Sequence, residues 1–107
     1  MYKVFIDTTK RENRRVILYK DAEELDSSAG SIDIVSEIQK LLDKHKLSVR
    51  EIDEFEANPG PGSFTGIKVG VTIANTLNWA LGKKKLSELQ QPEYGGEPNI
   101  STSTGGN

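Results

Sequence analysis

Cysteine is absent from the 107-residue chain, and histidine occurs once, as His45. Without thiols there is no disulfide and no thiolate metal ligand, and a single imidazole does not make a histidine-built metal site. For the same reason no nucleophile and base can be paired as catalytic residues. We therefore expect no catalytic residue, no metal and no cofactor. His45 itself falls late on a charged helix.

A basic charge excess and a long apolar run are missing as well. The formal net charge is −2, so the chain has no positive field of the kind that captures nucleic acid without help. No apolar run approaches the roughly 18 residues that a membrane span needs, and the amino terminus has no signal-peptide pattern. A chain of this length forms one small domain, which we expect in the cytoplasm and away from membranes.

The amino-terminal part of the sequence indicates a hairpin followed by a helix. Residues 1–7, MYKVFID, alternate in period two and predict a buried strand that ends on Asp7. Residues 14–20, RRVILYK, predict a second strand antiparallel to the first, and residues 21–25 a short third strand before the loop DSSAGS. An amphipathic helix follows over residues 32–45, with Ser31 as its N-cap.

A fourth strand and a second helix come next. Ser48 and Glu51 fit a capping box and predict a brief helical turn. Residues 54–57, EFEA, predict a fourth strand, and residues 63–81 a second long helix. This order of elements predicts an α/β fold with a mixed sheet, an antiparallel hairpin at its start and two main helices.

The second helix carries more apolar surface than one sheet can cover. Its apolar arc spans about 220° of the helix, whereas a helix with one face in water needs roughly 100° to 140°. A ridge of small residues spaced four apart would also allow another helix to approach closely. We predict a partner interface formed by Val35, Ile38, Leu42, Gly66, Val69, Gly70, Ile73, Ala74 and Leu77. The alternative is that the first helix of the same chain covers the excess.

The segment NPGPGSFTGIKVG, residues 58–70, is either a phosphate cradle or a hinge that starts the second helix. A glycine-rich turn before a helix offers backbone N–H donors to an anion. However, the P-loop pattern fails because no Gly-Lys-Ser/Thr triplet follows, and the dinucleotide fingerprint has Thr65 where its last glycine should be. The residues expected to position the loop and helix are Pro59, Gly60, Pro61, Gly62, Ser63 and Thr65.

Asp7 and Thr8, at the end of the first strand, are candidates for weak phosphate or metal binding. One carboxylate is not enough to hold a divalent metal. The interpretation of Asp7 as a turn-forming residue that accepts backbone N–H groups is therefore favoured.

Residues of both regions match a known family. The strand sequence FIDTT, the order of elements and the run PGPGSFTGIKVGVTIANTLNWALG resemble the bacterial TsaB (YeaZ) family, whose members carry a G-P-G-S-F-T-G-[LI]-[RK]-[IV]-G run. The resemblance covers about residues 1–82. It implies one lobe of the actin-like, ribonuclease-H-like ATPase fold over residues 1–82, followed by a polar, partly disordered tail over residues 83–107. Because the tail segment QQPEYGGEPNIS is similar to the end of family members, we expect a natural single-lobe short form.

The resemblance also implies a function. Family members are noncatalytic partners of the transferase TsaD, which makes threonylcarbamoyladenosine at position 37 of tRNA. By this resemblance the chain is a scaffold that forms a heterodimer with a TsaD-like subunit. A TsaE-like ATPase assists, and tRNA is reached only through the complex. Because an unpartnered chain would cover the wide apolar surface of its second helix with a second copy, we also expect a homodimer in the absence of the partner. Two alternatives stay open, namely a small ATP- or phosphate-binding protein that uses the loop at residues 58–66 and a self-associating dimer module.

Overall fold

The computed structural model describes residues 1–62, 64–85 and 88–91. In these residues, four strands and two helices form the fold, and a short 3₁₀ turn at Val49–Glu51 lies between the first helix and the fourth strand. The strands are β1 (Tyr2–Asp7), β2 (Arg14–Lys20), β3 (Glu23–Gly30) and β4 (Glu54–Ala57), and the helices are α1 (Ile34–Lys44) and α2 (Phe64–Ala80). The predicted order of elements is confirmed.

The four strands form one mixed sheet in the order β3-β2-β1-β4. β1 pairs antiparallel with β2 and parallel with β4, so that Val4 lies opposite Leu18 on one side and Phe55 on the other. β2 pairs antiparallel with β3, with a register irregularity between Leu18 and Tyr19. The predicted α/β fold, with a mixed sheet that starts from an antiparallel hairpin and carries two main helices, is confirmed.

Two boundaries differ from the sequence prediction. The third strand continues to Gly30 through the segment predicted as a loop, because its small polar residues pair along the exposed edge of β2. α1 is capped by Asp33 and not by Ser31. The Asp33 carboxylate accepts a hydrogen bond from the Ser36 N–H at 3.2 Å, which places the cap two residues later.

Both helices cover the same face of the sheet. α1 packs against β2 and β3, and α2 packs against β4 and β1. The core between the layers is formed by Val4, Ile6, Val16, Leu18, Ile34, Ile38, Leu41, Leu42, Ile52, Phe55, Ala57, Ile67, Val71 and Ala74. Phe5 and Ile17 face each other on the opposite side of the sheet, where Ile17 is nonetheless buried. The main hydrophobic core therefore lies between the sheet and the two helices.

Only part of the predicted polar tail falls within the described residues. The described residues of the tail are 83–85 and 88–91, of which Lys83 and Lys84 donate backbone N–H groups to the Asn78 carbonyl of α2, and Gln90 bonds to Ala57 of β4. The disorder predicted towards the end of the tail concerns residues outside the described part. Within the described ranges, neither helix combines the length and the apolar character that crossing a membrane would require.

Candidate functional site

The end of β1 is tied to the glycine-rich loop by the Asp7 carboxylate. Its Oδ1 accepts hydrogen bonds from the Thr9 N–H at 2.9 Å and the Thr9 hydroxyl at 2.6 Å, and its Oδ2 accepts from the Asn58 amide at 3.2 Å. Burial raises the pKa of Asp7, but these hydrogen bonds outweigh it and hold the pKa below its ordinary value. Asp7 is thus a charged turn-forming residue, as the sequence favoured.

Thr8 ties the same strand end to the start of α2. Its buried hydroxyl donates to the Gly66 carbonyl and accepts from the Gly70 N–H at 2.9 Å. A Cβ on Gly70 would lie 2.6 Å from the Thr8 Oγ1, and one on Gly62 would lie 2.7 Å from the Thr9 Cβ. The glycines therefore let the loop and the helix pack closely against Thr8 and Thr9, the residues that follow β1.

This geometry favours the hinge interpretation of the loop. Gly60 has a φ of +118°, and its N–H donates to the Asn58 side chain at 3.1 Å. Pro59 and Pro61 have no N–H that could bind an anion. Thr65 is exposed in the first turn of α2, and Ser63 lies outside the described residues. In the described ranges, no three histidine or acidic side chains converge in a way that could hold a metal ion.

A different site lies on the outer side of the helix layer. α1 and α2 leave an open groove of about 330 Å³ between them, which Val49 of the 3₁₀ turn also lines. Its lining residues are Val35, Ile38, Gln39, Leu42, Val49, Thr72, Ile73, Thr76 and Leu77, which we call the interhelical groove. None of these side chains is charged, and Val35 is 60% exposed. Ile38 and Leu42 are buried in it, whereas the polar Gln39, Thr72 and Thr76 are exposed, and an apolar centre with a polar rim is the arrangement of protein–protein interfaces.

Five of the residues predicted for a partner interface line this groove: Val35, Ile38, Leu42, Ile73 and Leu77. Ile73 and Leu77 are only half-buried, so α1 covers part of the excess apolar arc of α2 and leaves the rest open. The sequence missed Gln39, Val49, Thr72 and Thr76. That they line the groove depends on how the two helices lie side by side, and no local sequence pattern indicates this.

The other four predicted interface residues lie elsewhere. Gly66, Gly70 and Ala74 are buried, and the contact of Gly70 with Thr8 shows that this ridge faces the chain's own sheet. Val69 is half-buried and does not line the groove. The expectation that the small residues admit a second helix is therefore corrected, because the space beside Gly70 is filled by the side chains of Thr8 and Ile6.

A second concavity, of about 370 Å³, lies on the opposite face of the sheet. It is lined by Met1, Lys3, Tyr19, Ala22 and Glu54. Its two charged side chains already have partners, since Lys3 pairs with Glu56 and Glu54 pairs with Lys84, each at 2.8 Å. The interhelical groove remains the stronger candidate because its lining is uncharged and mostly apolar.

Comparison with known proteins connects the chain to tRNA modification proteins. The family model described as TsaD, tRNA N6-adenosine threonylcarbamoyltransferase, matches residues 24–87, which is more than half of the chain. The chain is 33% identical over 51 residues to the threonylcarbamoyladenosine biosynthesis protein TsaB of Bacillus subtilis, covering 48% of this chain and 22% of that protein. It is 32% identical over 69 residues to TsaB of Buchnera aphidicola, covering 60% of this chain and 33% of that protein.

Solved structures show the same fold. YeaZ from Pseudomonas aeruginosa superposes with a TM-score of 0.69 and 24% sequence identity, over 77% of this chain and 40% of the YeaZ chain. The predicted actin-like fold is thereby confirmed. The chain spans well under half the length of each of these relatives. With the loop, the sheet order and these matches together, the chain belongs to the TsaB/YeaZ family.

Proposed function

We propose that the chain takes part in the biosynthesis of threonylcarbamoyladenosine in tRNA as a noncatalytic scaffold, and that it binds a TsaD-like transferase subunit in the interhelical groove. The names of its relatives support the pathway, since two of them are TsaB proteins of this biosynthesis. The observation that carries the docking proposal is the uncharged interhelical groove, in which the apolar side chain of Val35 is exposed.

A scaffolding role is also supported by how the chain uses its polar residues. Asp7, a candidate for phosphate or metal chemistry, accepts hydrogen bonds from Thr9 and from Asn58 in the loop, and Thr8 bonds to the first turns of α2. Thr8 thereby holds α2 against the sheet, and the position of α2 sets the width of the groove. The family motif thus acts on the docking surface through the backbone.

The proposal is tested by titrating the purified chain with the TsaD-like subunit of the same organism. Val35→Glu places a charge in the groove that the apolar partner surface would have to desolvate, and we expect affinity to fall by about tenfold or more, or about 1.4 kcal/mol. The matched control is Leu25→Glu, which changes an exposed apolar side chain on β3, away from the groove. It should bind as the wild type does.

Threonylcarbamoyladenosine formation, measured with the two proteins, tRNA and the other components of the pathway, should fall with Val35→Glu and not with Leu25→Glu. Equal binding by both variants, or no complex with the wild type, would refute groove docking. Sedimentation of the chain alone addresses self-pairing. If the groove binds a second copy of the chain, Val35→Glu should shift a wild-type dimer to the monomer.

A further inference from the structure

β4 forms the outer edge of the sheet in the described part of the chain, and its peptide groups show which residues face outward. The Asn58 N–H donates to the Ile6 carbonyl at 2.8 Å, and Glu56 pairs with Phe5 in the parallel register. Alternate residues of a strand point their peptide groups to opposite sides. The N–H and C=O groups of Phe55 and Ala57 therefore point away from β1, where a fifth strand would bind.

Each of these outward peptide groups is bonded in both directions by one side-chain amide. The Phe55 N–H donates to the Asn78 Oδ1 at 2.9 Å, and the Asn78 Nδ2 donates back to the Phe55 carbonyl at 2.6 Å. The Ala57 N–H donates to the Gln90 Oε1 at 2.7 Å, and the Gln90 Nε2 donates to the Ala57 carbonyl at 2.8 Å. Because a primary amide carries a donor and an acceptor like a peptide group, each side chain replaces one residue of a neighbouring strand.

α2 holds both amides in place. Asn78 is part of the helix and fully buried. Gln90 is held through Asn75, whose Oδ1 accepts from the Gln90 N–H at 2.9 Å and whose Nδ2 donates to the Gln90 carbonyl at 3.0 Å. Asn75 and Asn78 are three residues apart and so lie on the same side of α2. Two helix residues thus position the whole cap.

We propose that Asn78 and Gln90 together take the place of a fifth strand, and that residues 88–91, which we call the strap, close the β4 edge to strand addition. An uncovered edge strand is a template for pairing with another chain, and covering it prevents this. Asn78 is fully buried, whereas Gln90 is only half-buried. The contact made by the strap can therefore be removed with less damage to the core than the contact made by Asn78. None of its partners lines the interhelical groove, and the inference is independent of the proposed function.

The cap is tested by amide hydrogen exchange of the whole chain, read by NMR. In Gln90→Ala, the Ala57 amide should exchange about tenfold faster or more, while the amide of Leu18 in the centre of the sheet keeps its rate. Asn75→Ala keeps the Gln90 side chain but removes the two hydrogen bonds that position Gln90, so exchange of the Ala57 amide should be faster in this variant as well. Gln91→Ala is the matched control, because it removes an exposed glutamine next to Gln90.

An unchanged Ala57 rate in Gln90→Ala would overturn the cap. So would an acceleration shared equally by Leu18, since that would indicate global unfolding. Exclusion of strand addition is tested by sedimentation velocity at equal concentrations. The average mass of Gln90→Ala should exceed that of Gln91→Ala, and equal masses would overturn the exclusion.

Discussion

Gly70 is the residue of α2 that packs against Thr8, directly after the end of β1. An added Cβ would lie 2.6 Å from the Thr8 Oγ1, the atom that already binds the Gly70 N–H. Gly70→Ala must therefore push the helix away or break that hydrogen bond, and we expect a loss of about 1–3 kcal/mol in the free energy of unfolding, measured with urea. Substitutions here report on folding and not on partner binding.

A double-mutant cycle isolates this contact. Thr8→Ala removes the oxygen that the new Cβ would strike, so Gly70→Ala should cost much less in that background than in the wild type. Simple additivity of the two losses would show that the strain arises elsewhere.

Asn78 is the second residue whose role is settled by its surroundings. Its buried amide satisfies the N–H and C=O of Phe55. Asn78→Leu replaces the amide with an apolar side chain of similar shape and leaves the N–H and C=O of Phe55 without partners, for which we expect a loss of about 3 kcal/mol in unfolding free energy. Thr76→Ala, an exposed change on the same helix, should stay within about 0.5 kcal/mol of the wild type. Wild-type stability of Asn78→Leu would contradict the assignment.

At the start of α1, the structure identifies Asp33 as the N-cap in place of Ser31. Asp33 accepts the Ser36 N–H, whereas Ser31, which the sequence alone favoured, is exposed and two residues outside. Asp33→Ala should lower the unfolding free energy by about 1 kcal/mol, and Ser31→Ala should change it little. Chemical denaturation of the pair decides between them, and the reverse order would show that the helix starts earlier.

The other end of α1 is held to β3 by an ion pair that depends on pH. The Asp26 Oδ2 lies 2.9 Å from the His45 Nε2 and 3.0 Å from the Lys44 Nζ. Hydrogen bonds from His45, then from Lys44 and Ser27, lower the pKa of Asp26 from 3.8 to about 2. A carboxyl whose pKa is lower in the folded state stabilises the protein above its unfolded pKa, and this contribution disappears as the pH falls through the folded pKa.

Asp26→Asn should therefore be less stable than the wild type at about pH 5, and the difference should shrink as the pH falls towards about 2. Urea denaturation of both proteins across this range measures the difference. A gap of the same size at both ends of the range would mean that Asp26 stabilises the junction through something other than its charge.

The molecule as a whole is a sheet with a single layer of helices, and the groove is where that layer remains open. Ligands that bind only the folded state stabilise it, by about 2.7 kcal/mol at a hundredfold excess over the dissociation constant. If the TsaD-like subunit binds the groove, adding it should raise the unfolding midpoint of the wild type and of Leu25→Glu. It should not raise that of Val35→Glu. Calorimetry of the mixtures checks this, and an equal rise in all three would place the partner elsewhere.

Local patterns were sufficient for much of the fold. The period-two strands, the capping box of Ser48 and Glu51, and the turn at Asp7 were all readable because each depends on residues a few positions apart. The third strand was predicted too short, because the small polar residues up to Gly30 carry no strand pattern of their own. Their pairing with β2 makes them a strand.

Contacts between distant segments could not be read in this way. The composition of α2 showed that it had more apolar surface than a sheet covers, but not that the ridge through Gly70 faces β1 while Leu77 faces the groove. Likewise, nothing near Gln90 in the chain indicates that its amide closes the edge at Ala57, 33 residues away. Periodicity and capping follow from neighbouring residues, whereas the direction of a helix face and the closure of a sheet edge follow from which elements meet when the chain folds.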